Sequence, residues 1–311
     1  MGENEYDVII IGAGPAGLTA GIYLGRAKLR TVILEAMTPG GQALFSERIE
    51  NYPGFPEGIT GRELAERMVK QAEAFGTEIK TLCPVERVRL EDGAKVVEAT
   101  GEPYRSKALI IATGAQASKL EVPGEGRYMG QGVSVCAMCD GAFFREKVVA
   151  VVGGGDSAVE DAFYLSRMAS KVYLIHRRDK LRAQKILQER LFEQKNVVPI
   201  WKTVVKEIKG DETGVKALLL ERVDTREIKE LPVDGIFVAI GRRPATEPFR
   251  EVVELDAGGY VVTDESCATS TPGIFAAGDV RKKSVRQVST AVGDGAIAAY
   301  SAELYLERSK G

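Results

Sequence analysis

Apolar and polar positions along the chain fall into short blocks, and one arrangement of blocks occurs twice. The first copy is "VIIIGAGPAGLTAGIYLGRAKLRTVILE", residues 8–35; the second is "VAVVGGGDSAVEDAFYLSRMASKVYLIH", residues 149–176. They align without a gap. Gly12, Gly14 and Gly17 fall on Gly153, Gly155 and Ala158, Tyr23-Leu24 falls on Tyr164-Leu165, and Glu35 falls on His176. Each copy runs from a β-branched stretch through a glycine-rich turn and a helical segment to a second β-branched stretch, which predicts a strand–helix–strand unit. Two more apolar strands, "ALIIATGA" (108–115) and "GIFVAIGR" (235–242), end in small-residue turns, and each closes one unit. A third, "GIFAAGDV" (273–280), precedes "RQVSTAVGDGAIAAYSAELYLE" (286–307), which reads as a long terminal helix. Residues 55–76 read as an amphipathic surface helix capped by Thr60.

The order of these blocks predicts an α/β chain of two Rossmann-like, three-layer nucleotide-binding domains. The second is inserted into the first, with residues 1–114 and 245–311 forming one domain and 115–244 the other. In each repeat the first glycine of G-x-G-x-x-G/A makes the tight turn, and the second admits a pyrophosphate. The third position packs helix on strand, and the helix N-terminus faces the phosphates. Two copies in the same context are far more specific than one.

The strand ends differ, and that difference separates the ligands. Glu35 can accept hydrogen bonds from ribose hydroxyls, so the first site suits FAD or NAD. The second strand leads into "HRRDKLR", where Arg177, Arg178 and Arg182 offer guanidinium groups and no acid stands at the matching position. Two charged hydrogen bonds to a 2′-phosphate, at ~1.5–3 kcal/mol each, would favour NADPH over NADH a hundredfold or more. A solvated basic helix start is the alternative. Asp279 suits a polyol hydroxyl, or a helix cap.

Composition then narrows the chemistry. The chain has 311 residues, 44% hydrophobic and 28% charged, with a net charge of −2, which points away from a nucleic-acid partner. "MGENEYDVIIIG" has no basic leader, and no apolar run approaches membrane-spanning length, so a cytoplasmic protein without membrane association is expected. His176 is the one histidine, which leaves little room for histidine-based mechanisms. Two of the four cysteines stand in "VCAMCDGAFF", residues 135–144. A zinc knuckle needs four ligands, and Cys83, Cys267 and His176 are not at ligand spacing. A pair of inert core cysteines stays open. A redox disulfide suits a chain with two nucleotide sites that can relay an electron pair. Cys83 and Cys267 read as small core hydrophobes.

Together "GAGPAG", "PGGQ" (39–42), "ENYPG" (50–54), "ATGA", "CAMCDG", "GGGDSAVE", "HRRDKLRA" and "GDV" followed by "RQVSTAVGDG" resemble the low-molecular-weight, bacterial-type thioredoxin reductases of the pyridine nucleotide-disulfide oxidoreductase family. The resemblance covers nearly the whole chain. It implies FAD against Gly12, Gly14, Pro15, Ala16, Gly17, Glu35, Gly40, Gly41, Gln42, Asn51, Ala112, Thr113 and Gly114. From the returning segment it adds Gly278, Asp279, Arg286, Gln287 and Val288. It implies NADPH against Gly153, Gly155, Asp156, Ser157, Ala158, His176, Arg177, Arg178 and Arg182. Electrons would pass from NADPH through FAD to a Cys136–Cys139 disulfide, and from that dithiol to thioredoxin. By the same resemblance Cys139 faces the flavin, Cys136 attacks the substrate disulfide, Asp140 is the general acid and base, and the protein is a homodimer.

Two positions depart from the family pattern. Met138 replaces a usual threonine, and Asp156-Ser157 replaces Asn-Thr, adding a negative charge near the pyrophosphate. Reduction of another small or protein disulfide is the close rival. A ferredoxin–NADP-type flavoprotein would have no use for "CAMC", and a flavin-binding redox sensor is the non-enzymatic alternative. If nicotinamide and disulfide approach the same flavin face, they must take turns, which predicts rotation of the domains about "ATGAQAS" and "AIGRRPA".

Overall fold

The computed structural model describes residues 4–46 and 48–309. Met1, Gly2 and Glu3, part of the N-terminal reading above, lie outside the described residues, as do the last two residues of the returning segment. The chain divides into two units, Met1–Gln116 with Arg243–Gly311, and Ala117–Arg242.

In the first unit β1 (Glu5–Ile11) is buried from Val8 onward. Helix α1 (Pro15–Arg26) starts at a proline, which the first turn accepts because its missing N–H would have had no helical partner. Next come β2 (Thr31–Leu34), α2 (Gly61–Ala74) and β3 (Glu78–Lys80). Thr60 Oγ1 accepts the Glu63 N–H at 3.1 Å, so Thr60 is the cap expected. The helix spans only Gly61–Ala74, however; residues 55–60 are turns and a short bridge, with Gly58 at φ +71°. Strands β4 (Val85–Glu91), β5 (Ala94–Ala99) and β6 (Glu102–Ile111) form an antiparallel meander that the repeat pattern did not reveal. Its two hairpins turn on Asp92-Gly93 and Thr100-Gly101, all four at positive φ, the two-residue turn whose twist suits antiparallel strands.

The chain passes through β7 (Ala115–Ala117) into the second unit, which begins with β8 (Val133–Ser134) and the one-turn helix α3 (Ala137–Asp140). The second repeat supplies β9 (Val148–Gly153), α4 (Asp156–Ser166) and β10 (Lys171–Ile175). Then follow α5 (Lys185–Phe192), β11 (Val197–Ile200), the antiparallel β12 (Thr203–Asp211), β13 (Gly214–Arg222) and β14 (Ile228–Pro232), and β15 (Gly235–Ala239). Strand β16 (Arg242–Pro244) pairs with β7, so the two stretches that cross between the units form a small sheet. The chain re-enters the first unit to add β17 (Ile274–Ala276) and α6 (Val288–Arg308).

Both main sheets, the first mixed and the second parallel, are layered, as α/β strands require. The first has the order β3-β2-β1-β6-β5-β4, with β17 parallel to the end of β6. Val8 and Ile10 face the layer containing Leu18, Leu24 and Ala298, whereas Ile9 and Ile11 face Val32, Leu109 and Phe249. The second has the order β11-β10-β9-β15-β8. Val149 and Val151 pack with Ala158 and Leu165 of α4, while Ala150 and Val152 pack with Leu218 and Leu220 of β13. This alternation puts each glycine-rich turn at the carboxyl end of a central strand, where open α/β sheets bind ligands.

Candidate functional site

In the first unit, the turn after β1 is shaped by what surrounds it. Gly12 has φ +103°, and a β-carbon there would overlap the Ala112 carbonyl. One at Gly17 would overlap the Gly12 carbonyl. At Gly14 the same carbon would find nothing nearer than Gly41 Cα, at 3.9 Å. The turn is therefore closed from behind and open in front of the α1 N-terminus, the shape a pyrophosphate needs. The 39–42 loop is fixed against it, since Gly40 N–H donates to the Ala13 carbonyl at 2.7 Å and Gly40 and Gly41 both have positive φ. Gln42 is the second residue of the short 3₁₀ turn Gly41–Phe45. Glu35, at the end of β2, accepts from Ala13 N–H at 2.7 Å and from Met37 N–H at 2.9 Å. On the far side Ala112 N–H donates to the Ile11 carbonyl, Thr113 Oγ1 donates to the Ala245 carbonyl, and Gly114 has φ +65°.

The returning segment joins the same set. Gly278, at φ +81°, packs so near Ala16 that a β-carbon would come within 2.9 Å of its methyl. Arg286 Nε donates to the Asp279 carbonyl at 3.4 Å, and its guanidinium lies 4.0 Å from the Tyr260 ring centroid. Gln287 caps α6 in a reciprocal pair with Thr290, so that helix starts at Val288. The Gln287 side-chain carbonyl also accepts from Asn51 Nδ2 at 3.0 Å, across 236 residues of sequence.

Sequence reasoning missed the group that holds this segment in place. Asp294, buried in α6, accepts the Gly278 N–H at 3.0 Å and pairs with Arg281 and Lys283, each at 2.9 Å. Lys283 Nζ also lies 3.8 Å from Asp279 Oδ1. The signal was a lone acid between two glycines, Gly293-Asp294-Gly295, on the face of a helix packed against α1. A β-carbon at Gly295 would overlap the Ala16 carbonyl. Cys267 belongs to this cluster and is more than a core filler, accepting from Arg281 Nη1 at 3.1 Å. Burial pushes its thiol up to about 11, with Arg281 opposing the rise, so it stays protonated and unreactive at neutral pH. Cys83 is buried with its sulfur 4.0 Å from Thr100 Oγ1.

In the second unit the turn after β9 repeats the first. Gly153 has φ +156° and backs onto the Ala239 carbonyl and the Ala158 methyl, while a β-carbon at Gly155 would meet nothing within 4 Å. Ser157 is exposed at the start of α4. The Asp156 carboxylate is already engaged, because both Gln184 N–H and Gln184 Nε2 donate to it, at 2.8 and 3.0 Å. The extra charge expected at the pyrophosphate thus anchors the start of α5. Arg177, Arg178 and Arg182 are exposed, and His176 beneath them is buried. Burial, reinforced by Arg182 and Arg178, lowers the imidazole's affinity for a proton and holds it neutral at pH 7.

Cys136 and Cys139 are joined by a disulfide with Cα atoms 5.4 Å apart. Ser134 Oγ accepts the Cys136 N–H at 3.0 Å and donates to the Cys136 carbonyl, and Cys136 Sγ in turn accepts the Cys139 N–H at 3.2 Å. The bridge rides on α3, which Gly141 seats directly on α4; a β-carbon there would fall 2.9 Å from the Tyr164 ring. Cys139 is exposed, Cys136, Met138 and Asp140 are half-buried, and Ala137 is anchored in the core. Phe143, just beyond, is 73% exposed. Among the described residues no helix is long and apolar enough to cross a membrane.

Residues 6–295 match the pyridine nucleotide-disulphide oxidoreductase family. The chain is 49% identical to a protein of Listeria innocua named thioredoxin reductase, over 99% of this chain and 96% of that one. It is also 49% identical to a thioredoxin reductase of Bacillus subtilis, over 98% and 96%. Its fold matches the crystal structure of Lactococcus lactis thioredoxin reductase with a TM-score of 0.95 and 45% identity, covering 97% of this chain and 99% of that one.

Proposed function

The chain belongs to the pyridine nucleotide-disulphide oxidoreductase family, and on that premise we propose that it is an NADPH-dependent flavoprotein that reduces thioredoxin through Cys136 and Cys139. The observation that carries this reading is the disulfide itself, exposed at Cys139 and carried on α3, which packs against the helix after the second glycine-rich turn. The first unit, taken as residues 1–114 and 245–311, holds FAD; the second, residues 115–244, holds NADPH. The open cradle at Gly14 fits the pyrophosphate of FAD, and Glu35, Asn51, Asp279, Arg286 and Gln287 supply polar groups around it. When bound, FAD supplies two-electron chemistry between a nicotinamide and a disulfide.

The remaining chemistry belongs to the protein. In the reduced pair the Cys136 thiolate attacks one sulfur of the thioredoxin disulfide, forming a mixed disulfide, and the departing thiolate takes up a proton. Cys139, as thiolate, then attacks Cys136 Sγ, which releases the second thioredoxin sulfur and restores the Cys136–Cys139 bond. Two thiols are oxidised here and one disulfide is reduced, so the electrons balance. Asp140 is the proton carrier, half-buried one residue beyond Cys139. In the second unit Arg177, Arg178 and Arg182 take the 2′-phosphate. The protein acts in the cytoplasm as a homodimer, to which α1 and α6 offer the exposed Tyr23, Ile297 and Tyr300.

Anaerobic titration with NADPH tests the whole reading. The expected result is uptake of a second electron pair beyond the flavin's own, with the yellow colour returning on addition of oxidised thioredoxin. Uptake of the flavin's pair alone, or no reoxidation by thioredoxin, overturns it.

Alternating access to one flavin face requires the units to turn about the β7 and β16 crossings. A covalent crosslink between the units is expected to preserve one half-reaction, reduction by NADPH or oxidation by disulfide, and to block the other. Survival of both, with full steady-state turnover, would sink the rotation.

A further inference from the structure

The two repeats end their second strands differently, and the second unit shows what made that possible. In the first unit Ala13 and Glu35 form a pair, backbone N–H to carboxylate at 2.7 Å. Their counterparts by position are Gly154 and His176. The imidazole lies across Gly154, where a β-carbon would fall 2.6 Å from Nε2 and nearer still to Cε1 and Nδ1. Gly154 is not among the residues with left-handed φ, so its backbone does not demand glycine. The ring does. The Gly154 carbonyl also accepts from Arg182 N–H at 2.7 Å and from Ala183 N–H at 3.2 Å. One glycine therefore sets both the ring and the last arginine of the basic run.

We propose that Gly154 and His176 are a coupled pair that determines coenzyme selectivity, the imidazole filling the place from which a strand-end carboxylate would face the ribose 2′ position. The inference rests on reading the second unit as the NADPH site. His176 is only 6% exposed, with Nε2 unpaired, so it occupies the space without presenting a charge. A carboxylate at 176 would instead neutralise Arg177, Arg178 and Arg182 and repel a phosphate.

Calorimetric titration of the holoenzyme with NADP⁺ and with NAD⁺ tests the pair. Gly154→Ala is expected to weaken NADP⁺ binding about tenfold or more, since the ring and Arg182 must both shift. Gly154→Ala with His176→Ala should recover most of that loss by removing the clash while keeping the arginines. Gly154→Ala with His176→Glu should lower the preference for NADP⁺ over NAD⁺ by roughly a hundredfold, since Ala13 and Glu35 show that an alanine and a carboxylate fit together in this turn. If Gly154→Ala does not fold, the double alanine variant is expected to fold. A Gly154→Ala affinity within about twofold of wild type, below any specific contact, overturns the coupling, and so does a double alanine variant no better than the single. A wild-type protein that binds neither coenzyme overturns the NADPH reading and this inference with it, whereas a wild type that prefers NADP⁺ but shows additive variants overturns the pair alone.

Discussion

Exchange of Cys139 for serine is expected to lower NADPH-driven thioredoxin reduction by on the order of a thousandfold or more, because a hydroxyl cannot resolve a disulfide. The protein should keep its flavin. Incubation of the dithionite-reduced variant with oxidised thioredoxin should leave a mixed disulfide through Cys136, seen as the summed mass under non-reducing conditions. Cys136→Ser should be equally inactive and form no such adduct. The fold should tolerate both changes, since a hydroxyl in place of the Cys136 thiol can accept the Cys139 N–H that Sγ now accepts at 3.2 Å. Cys139 is the more exposed of the two cysteines, so exposure alone does not assign the roles and the adduct does. An adduct in Cys136→Ser and none in Cys139→Ser would exchange the two roles, and substantial turnover in either variant would remove the pair from the reaction.

Asp294→Ala carries the second large effect. It leaves Arg281 and Lys283 without the carboxylate both meet at 2.9 Å, and leaves the Gly278 N–H without its acceptor. Removing one partner of a buried ion pair costs about 3–5 kcal/mol, which in a unit of this size lowers Tm by roughly 10 °C. The same loss frees the Gly278-Asp279 turn, so the variant is expected to shed flavin on gel filtration while NADP⁺ binding in the other unit persists. Asp294→Asn keeps an acceptor for Gly278 and should fall between the two proteins. A variant with wild-type Tm and a full flavin complement would show that the cluster neither holds the turn nor stabilises the unit.

Much of the candidate site was legible because its elements are local. The glycine turns, their flanking strands and the Cys136–Cys139 spacing each lie within one strand–turn–helix segment, and periodicity reports such segments directly. The expectation of an insertion has a related basis, since an uninterrupted repeat must begin and end with its own strands. The meander of β4, β5 and β6 and the sheet of β12, β13 and β14 were not legible. Their strands alternate only weakly between apolar and charged positions, as in "VERVRLEDGAKVVEA", so periodicity does not report them although each pairs with its neighbour in sequence.

Residue order alone is enough to predict two glycine-rich strand–turn–helix units, an acid at the end of one and a basic run at the end of the other, and a cysteine pair ahead of the second. Those properties depend on residue type and near-neighbour spacing, which a chain carries before it folds. The folded chain adds that Asp294 holds the Gly278 turn, that Asn51 reaches Gln287, that Asp156 is bound to Gln184, and that Gly154 is a glycine for the sake of the His176 ring. Each joins residues 16 to 236 positions apart. Such contacts come from helix-on-sheet packing and steric exclusion between chain segments, and no local pattern encodes them.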